Sequence, residues 1–330
     1  MELFLLGAGF NADAKSETGI VLGNSCYHGT YSIDCGYPLI AETARLCFDL
    51  AEAPQDKSIE DLFAEALERH NFKPMDNLSE QLMEADYRLA TRLCTAGRNC
   101  YKDFFEKFVD AHFLTFNYDS LPEIFLHRLN RWYPQDGYGV PVEAEPSFGF
   151  DDIIQQRSSS LVLHLHGSLC VLTTESELEP IPGKRTEWII RHRQPKYGFD
   201  PDSISGCFPK YRRVMWATGQ VRIPDRVVAP VPDKAEGLQS PFIHAAYDKA
   251  CHQVSVSGSL IAVGYSFNPH DRVSYGPILK ALTESHDRKL IIVSPTAGDV
   301  AKTFRGEYPH LRIEPITKTM KVWAVDSFRL

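Results

Sequence analysis

The stretch Glu2-Leu3-Phe4-Leu5-Leu6-Gly7-Ala8-Gly9-Phe10-Asn11 decides the fold class. Residues 3–6 are all apolar and predict a short strand buried on both faces, which is typical of the middle of a parallel sheet. The small residues 7–9 predict a tight turn at the carboxyl end of that strand. We therefore expect a central parallel strand that runs directly into a glycine turn.

Further strands and helices alternate along the rest of the chain. The sequence predicts strands at 112–116, 161–165, 260–263 and 290–293, and helices at 121–129, 243–253 and 275–283. Such alternation predicts an α/β fold with a doubly wound parallel sheet. Ligands of these sheets bind at the carboxyl ends of the strands.

Two insertions are predicted within this pattern. Amphipathic segments at 38–50, 58–70 and 79–110 predict three helices, so 38–110 is expected to be a helical insertion. Residues 171–235 contain many Pro and Arg residues without clear periodicity, which predicts an irregular insertion with short helices. We expect one domain over residues 1–330 that carries both insertions.

Composition excludes several classes of protein. The 330 residues are 43% hydrophobic and 24% charged, which argues against a disordered or fibrous chain. The net charge of −8 argues against direct binding of nucleic acid. A basic stretch at 184–213 is the exception, and it is interpreted either as a solvated face or as a patch for an acidic partner.

Cysteine usage and the apolar runs bear on location. The eight cysteines form no CxxC pair, so a zinc ribbon is disfavoured and buried thiols in a reducing cytoplasm are expected. We expect no signal peptide, because the chain opens directly with strand-like residues. We also expect no membrane span, because no apolar run approaches about 20 residues.

The glycine turn Gly7-Ala8-Gly9-Phe10-Asn11 is the first of five motifs at predicted strand ends. Small residues let a backbone approach a pyrophosphate, and free amides at such a turn can bond the anion. The turn lacks the third glycine of the dinucleotide-binding fingerprint, so a tight turn that needs glycine angles is the simpler explanation. Alone, the motif leaves both interpretations open.

The motif Thr115-Phe116-Asn117-Tyr118-Asp119 follows the second strand. Asn117 and Asp119 at a strand tip can present an amide and a carboxylate to a ligand. The simpler explanation is an Asx turn with a helix cap at Asp119 or Ser120, because Asn and Asp are ordinary capping residues.

The motif His164-Leu165-His166-Gly167-Ser168 ends the third strand. Histidines at i and i+2 face the same side of a strand, but no third metal ligand is evident nearby. His166 is placed for base chemistry, because its ordinary pKa lies near neutrality. The alternative is a pair of hydrogen-bonded core histidines.

Two weaker motifs follow the later strands. Gly264-Tyr265-Ser266-Phe267, with Asp271 close behind, combines a close backbone approach at Gly264 with a hydroxyl at Ser266 that can bond a ribose or phosphate oxygen. A turn with a helix cap is the structural alternative. Val293-Ser294-Pro295 ends the last predicted strand. All five motifs are expected at one edge of the sheet, and we treat them as one site.

In this order, the motifs resemble those of the sirtuin family, especially the divergent sirtuin-like domains of bacterial antiphage defence proteins. Residues 7–9 are similar to the sirtuin nucleotide loop, with Asn11 where sirtuins usually have Ser, and residues 36–38 are similar to the Gly-x-Pro segment. Residues 115–119 resemble the Thr-Gln-Asn-x-Asp motif, with Phe116 in place of Gln.

The resemblance continues to about residue 295. His166 and Gly167 match the catalytic His-Gly pair, and residues 264–266 are similar to the Gly-Thr-Ser turn near the adenosine ribose. Residues 293–295 lie where the family often has a strand that ends in Asn. Protein-deacylating sirtuins carry a zinc module of two Cys pairs between these last motifs. That interval here holds only Cys170, Cys207 and Cys251, so we expect no zinc module and favour the NAD⁺ hydrolases over the deacylases.

The resemblance implies a Rossmann-like domain, without a metal, that cleaves the nicotinamide–ribose bond of NAD⁺ to give nicotinamide and ADP-ribose. Asn117 would hold the attacking water or a ribose hydroxyl, and His166 would accept the proton. Asp119 would contact the nicotinamide carboxamide, and the adenosine half would lie at the turn that begins at Gly264. The residues expected to bind NAD⁺ are Gly7, Ala8, Gly9, Asn11, Thr115, Asp119, Gly264, Tyr265, Ser266 and Asp271.

A freely active NAD⁺ hydrolase would deplete its own cell, so we expect a largely idle chain that is switched on by assembly. Only about 35 residues follow the sirtuin-like region, too few for a sensor domain. The expected partners are further copies of the chain in a homo-oligomer and a separate sensor, such as a HerA-type ATPase or an Argonaute-like protein. The sequence leaves three alternatives: an NAD-dependent deacylase or ADP-ribosyltransferase, a non-enzymatic subunit that binds NAD⁺ or ADP-ribose, and a structural subunit with a vestigial site.

Overall fold

The structure is a computed structural model. It describes residues 2–13, 47–48, 58–86, 92–93, 97–180, 182, 188–201, 207–214, 220–223, 227–229, 231–234 and 237–326. Most of the predicted helix at 38–50 and the Gly-x-Pro segment at 36–38 lie outside the described residues.

The strands that the structure describes are numbered in chain order. They are β1 (Leu3–Leu6), β2 (His112–Thr115), β3 (Glu145–Pro146), β4 (Val162–His164), β5 (Val171–Pro180), β6 (Trp188–Phe199), β7 (Tyr211–Arg212), β8 (Gln220–Ile223), β9 (Ser259–Val263), β10 (Lys289–Val293) and β11 (Arg312–Ile316).

The α-helices are numbered in the same way. They are α1 (Ile59–Glu68), α2 (Lys73–Ala85), α3 (Cys100–Lys107), α4 (Leu121–Arg128), α5 (Pro241–Ser257), α6 (Arg272–Glu284), α7 (Ala297–Glu307) and α8 (Met320–Asp326). A 3₁₀ helix at Ala8–Asp13 follows β1.

Six parallel strands form the central sheet in the order β11-β10-β9-β1-β2-β4. Numbered by their place in the chain, these strands run 3-2-1-4-5-6, which is the Rossmann order, with its switch point between β1 and β9. The predicted α/β fold with a doubly wound parallel sheet is therefore confirmed. A crevice for a ligand is expected where the ends of β1 and β9 diverge.

Strand β1 contributes side chains to two hydrophobic layers, one on each face of the sheet. Phe4 and Leu6 belong to the layer that contains Phe104 on α3. Leu3 and Leu5 belong to the other layer, which is built around α5 and α6. Because successive strand residues face opposite sides, a wholly apolar strand needs helices on both faces, as the sequence predicts.

The described residues between β1 and β2 include the helices α1, α2 and α3. The predicted helix at 58–70 corresponds to α1, which begins at a capping box between Ser58 and Asp61. The single helix predicted at 79–110 is wrong. Helix α2 ends at Ala85, and α3 starts at Cys100 after a new N-cap, in which the Asn99 side chain accepts the backbone N–H of Lys102 at 2.9 Å.

The prediction of irregular structure with short helices for 171–235 is also wrong. An antiparallel sheet with the order β6-β5-β8 occupies much of this region. A register shift between Thr174 and Ser176 interrupts the pairing of β5 with both neighbours. Such a bulge breaks the two-residue alternation that a strand prediction needs, and Pro195 in the edge strand β6 obscures it further.

The sheet also extends beyond the last strand that the sequence predicts. Strand β11 pairs with β10 in parallel register, from Lys289 opposite Arg312 to Val293 opposite Ile316. Strand β11 has no clear strand pattern in the sequence, because it contains Arg312, Glu314 and Pro315. An edge strand tolerates such charged residues and proline. Among the described residues, no helix is long and apolar enough to cross a membrane.

Candidate functional site

Two glycine turns meet at the switch point of the central sheet. The Gly7 amide donates to the carbonyl oxygen of Val263 at 3.1 Å, and the Gly9 amide donates to that of Gly264 at 2.8 Å. Gly264 has a φ of +66°, and a Cβ atom there would lie 2.0 Å from the Phe10 nitrogen. The glycines thus serve the close packing of two backbones.

This packing corrects one expectation about the glycine turn. The amides of Gly7 and Gly9 are already bonded to backbone carbonyls, so they are not the free amides that a pyrophosphate requires. Ala8 and Gly9 are nevertheless exposed, and so is Ser266 on the facing turn. The exposed edge of the switch point therefore consists of these two turns.

An aromatic row connects the ends of β9, β2 and β4. The Tyr265 ring stacks on Phe116 with the ring centroids 4.8 Å apart, and Phe116 also lies 4.8 Å from the His166 ring. Phe116 thus places an apolar ring between the imidazole and the glycine turns.

Asn117 is held against the glycine turn. Its side-chain amide donates to the Gly7 carbonyl oxygen at 3.1 Å, and its backbone N–H donates to Thr115 Oγ1 at 3.0 Å. Thr115 is buried, and this bond occupies its hydroxyl as an acceptor. Thr115 therefore shapes the strand end rather than presenting a group to a ligand.

Asp119 and Asn11 form a buried pair beside Asn117. Asn11 Nδ2 donates to Asp119 Oδ2 at 2.6 Å, and Asp119 Oδ1 accepts the backbone N–H of Leu121 at 3.1 Å. Burial raises the pKa of Asp119 to about 6. Asn11 Oδ1 is buried and has no hydrogen-bond partner in the described part of the chain, a costly state that a ligand donor would relieve.

His166 is buried just beyond β4. Its Nε2 lies 2.8 Å from Ser274 Oγ, and its ring contacts Phe116 and Tyr118. Burial, together with the nearby positive charge of Lys234, lowers the pKa of His166 to about 3. The imidazole is therefore neutral near pH 7.

Residues 227–229 and 231–234 lie close to this histidine. The backbone N–H of Val228 donates to the His166 carbonyl oxygen at 2.7 Å, and the Tyr118 hydroxyl donates to the Val228 carbonyl oxygen at 2.7 Å. Lys234 Nζ forms a largely buried ion pair with Asp271. Asp271, expected at the adenosine half of the site, is thus paired with a lysine in this structure.

The structure brings most of the predicted residues to one edge of the sheet. Asn117 lies at the glycine turn, and its two chain neighbours contact the His166 ring. Tyr265 lies against Gly7, and Asp271 lies within 3.5 Å of the Tyr265 hydroxyl. Val293 lies in the same sheet and accepts the Gly264 amide at 2.9 Å through its carbonyl oxygen.

Several neighbours of the site were not identified from the sequence: Glu123, Ser274, Lys234 and Tyr118. Glu123 forms a buried ion pair with His164, and Ser274 contacts His166. A carboxylate inside the apolar helical run 121–126 is the signal that could have indicated Glu123. Ser274 and Lys234 carry no such signal.

The described residues contain no cluster of three or more His, Cys, Asp or Glu side chains that is arranged to hold a metal ion. Comparisons with known proteins were made both through family models and through curated sequences. Neither comparison finds a match for this chain. Functional inference therefore depends on the geometry of the site.

Proposed function

We propose that this chain binds NAD⁺ at the switch point between β1 and β9 and hydrolyses its nicotinamide–ribose bond. One observation carries the proposal. The Asn117 amide is anchored on the Gly7 carbonyl, while the residues on either side of Asn117 pack against the neutral imidazole of His166. An amide and an uncharged base at neighbouring strand ends suit the activation of water near a sugar carbon.

The proposed site has groups that suit a dinucleotide. Exposed Ala8, Gly9 and Ser266 would face the phosphates and the adenosine ribose. The unpartnered Oδ1 of Asn11 is a hydrogen-bond acceptor that suits a ribose hydroxyl or the nicotinamide carboxamide. Since both Asp119 oxygens are bonded, Asp119 would act through Asn11 rather than touch the carboxamide itself.

The reaction breaks one bond and forms another at C1′ of the ribose. The C1′–N bond electrons leave with nicotinamide, which departs as a neutral molecule, through a transition state like an oxocarbenium ion. Asn117 would hold the water that attacks C1′. His166 would take the proton that this water releases. With a pKa of about 3, His166 is neutral but only weakly basic. Most of the rate enhancement must therefore come from departure of nicotinamide to form the oxocarbenium-like centre, which a weakly activated water can attack.

The test is product analysis by mass spectrometry after the purified chain is incubated with NAD⁺. We expect nicotinamide and ADP-ribose in equal amounts, and we expect their formation to fall at least about 100-fold in Asn117→Ala and His166→Ala. His244→Ala is the matched control, since His244 is an exposed histidine on α5. Wild-type turnover by folded Asn117→Ala and His166→Ala would overturn the assignment.

Regulation belongs to the same proposal. Val228 bonds directly to His166 and Tyr118, which suits a chain that is idle until assembly displaces Val228. A homo-oligomer and a separate ATPase or Argonaute-like sensor are the proposed activators. Turnover measured against protein concentration, alone and with the neighbouring gene products, should rise with assembly. High turnover by the dilute chain would contradict this regulation.

A second candidate function is the binding of NAD⁺ or ADP-ribose without turnover. The low exposure of His166 favours it, because only 4% of this residue is accessible. Calorimetry with ADP-ribose would then show binding, while product analysis of the assembled protein would find no nicotinamide.

A further inference from the structure

His164 and Glu123 form a fully buried pair beneath the proposed site. His164 Nε2 lies 2.5 Å from Glu123 Oε1, and both side chains have an exposed fraction of 0%. His164 is the last residue of β4, and Glu123 lies in the first turn of α4. The pair thus joins the end of a strand to the helix that follows the neighbouring strand β2.

The other nitrogen of His164 faces the backbone of Asn117. Nδ1 lies 3.3 Å from the Asn117 carbonyl oxygen, which can only accept a hydrogen bond. Glu123 Oε1 is also an acceptor when ionised. The carbonyl therefore requires a proton on Nδ1, and Nε2 lies against the Glu123 carboxyl group. Burial of the ring favours its neutral form, but the nearby Glu123 outweighs this and raises the pKa of His164 above its ordinary value.

This bridge completes the set of contacts that hold Asn117. Its N–H is bonded to the hydroxyl of Thr115 at the end of β2, and its side chain is bonded to the carbonyl of Gly7, which directly follows β1. Only the bond from His164 holds its carbonyl among the described residues. The contact with His164 therefore holds the 117–118 peptide unit, next to the Cα atom that carries the Asn117 side chain.

We propose that His164 and Glu123 are positioning residues that hold Asn117 in the geometry required for NAD⁺ cleavage. The inference rests on the proposed function, and it assigns the first histidine of His164-Leu165-His166 a role separate from that of the second. Glu123 binds Nε2 and fixes the rotation of the His164 ring, while the Nδ1–H group holds the Asn117 carbonyl.

The energetics of buried ion pairs support a role beyond stability. Such a pair is often no more stable than apolar side chains of similar volume, because desolvation offsets the attraction. Glu123 Oε2 is also buried without a hydrogen-bond partner in the described residues, which adds to the cost. The buried pair of His164 and Glu123 therefore contributes little to stability. Its contact with the backbone of Asn117 is better explained by a role in positioning that residue.

Two substitutions of His164 separate its two contacts. His164→Asn keeps a donor near the position of Nδ1, facing the Asn117 carbonyl, but loses the contact with Glu123. His164→Gln keeps an amide near the position of Nε2, facing Glu123, but loses the donor to Asn117. A purely structural pair predicts that the Gln variant is better in every measurement, because it retains the partner of a buried carboxylate.

The positioning role predicts opposite orders for stability and for turnover. His164→Gln should unfold at the higher temperature. His164→Asn should have the higher kcat per folded molecule, by about 10-fold or more, with KM changed little, because a misplaced group costs up to about 100-fold. If His164→Asn does not fold, the double variant His164→Asn/Glu123→Gln is compared with His164→Gln instead. The second substitution removes the carboxylate that His164→Asn leaves unpaired. Equal kcat values, or a higher kcat for His164→Gln, would overturn the proposal.

Crystal structures of the same variants give a result that does not depend on activity. The distance from Asn117 Nδ2 to the Gly7 oxygen, 3.1 Å in the wild-type chain, should be kept in the Asn variant and lost in the Gln variant. If the wild-type protein does not cleave NAD⁺, the proposed function fails. The positioning role is then tested by this distance alone. An unchanged distance in the Gln variant would overturn that role.

Discussion

The side chain of Tyr265 occupies the space in which a side chain at Gly7 would lie. A Cβ atom built on Gly7 would be 2.7 Å from Tyr265 Cδ2 and 2.6 Å from Tyr265 Cα. Because backbone atoms are part of this contact, a rotation of the tyrosine ring cannot relieve it. The glycine therefore lets Tyr265 cross from the end of β9 towards Phe116 at the end of β2.

Gly7→Ala should destabilise the protein. Overpacking of this kind costs about 1–3 kcal/mol, and we expect the upper part of that range since backbone atoms collide. Denaturant unfolding measures the effect. Gly298→Ala is the matched control, because its Cβ would meet no atom within 4 Å and Gly298 lies in α7. That substitution should stabilise by up to about 1 kcal/mol. Equal effects at the two positions would contradict the close approach.

The affinity for NAD⁺ should depend on the ionisation of Asp119. Burial raises the pKa of Asp119 to about 6, so the carboxylate forms only above that pH. The carboxylate accepts the Asn11 amide and leaves Asn11 Oδ1 free for the ligand. Below about pH 6 the protonated acid favours a flipped Asn11 amide, in which Oδ1 accepts the Asp119 O–H group and no longer faces the ligand. The affinity should therefore fall as the pH drops.

Calorimetric titration with NAD⁺ or ADP-ribose between pH 5 and pH 8 tests this dependence. Asp119→Asn should bind weakly at every pH and lose the step near the pKa of about 6. Asp110→Asn serves as the control, since Asp110 is an exposed aspartate. A step that persists unchanged in Asp119→Asn would show that another group controls binding.

Acid should destabilise the protein partly through His166. Its folded pKa of about 3 lies below the ordinary value of 6.5 because the imidazole is buried. Between these values the unfolded state binds a proton that the folded state does not bind, so stability falls as the pH decreases from 6.5 towards 3. A shift from pH 7 to pH 5 should cost roughly 2 kcal/mol at this one site.

The contribution of His166 is isolated by comparison with His166→Gln, which cannot titrate. The loss of unfolding free energy between pH 7 and pH 5 should be smaller in this variant by roughly 2 kcal/mol. Exposed His244→Gln should show the full wild-type loss. Identical pH dependence in His166→Gln and the wild-type protein would mean that His166 is accessible to protons in the folded chain.

Lys234 and Asp271 should be energetically coupled. The two side chains are 8% and 18% exposed, so each is poorly solvated without the other. Lys234→Met and Asp271→Asn should each destabilise by roughly 3 kcal/mol, because each leaves a charge without its partner. The double variant should be more stable than the sum of the two losses predicts. Strict additivity in a double-mutant cycle would show that the pair contributes no interaction energy.

The prediction of the fold succeeded where the evidence is local. Residues 3–6, 260–263 and 290–293 are apolar runs that end in turns, and each is a parallel strand in the structure. The register of β6 against β5 has no such local signal, because it depends on antiparallel pairing across a bulge. The sequence likewise does not show the break at Asn99, since the apolar pattern continues on either side of it.

The candidate site divides in the same way. The sequence by itself determined that glycine turns, Asn117 and His166 follow buried strands, because runs of apolar residues end where the chain leaves the sheet. Only the tertiary structure decided that the amides of Gly7 and Gly9 are occupied, that Glu123 meets His164 and that Lys234 meets Asp271. These pairs are separated by dozens to hundreds of residues, and periodicity along a chain carries no information on which side chains a folded sheet brings into contact.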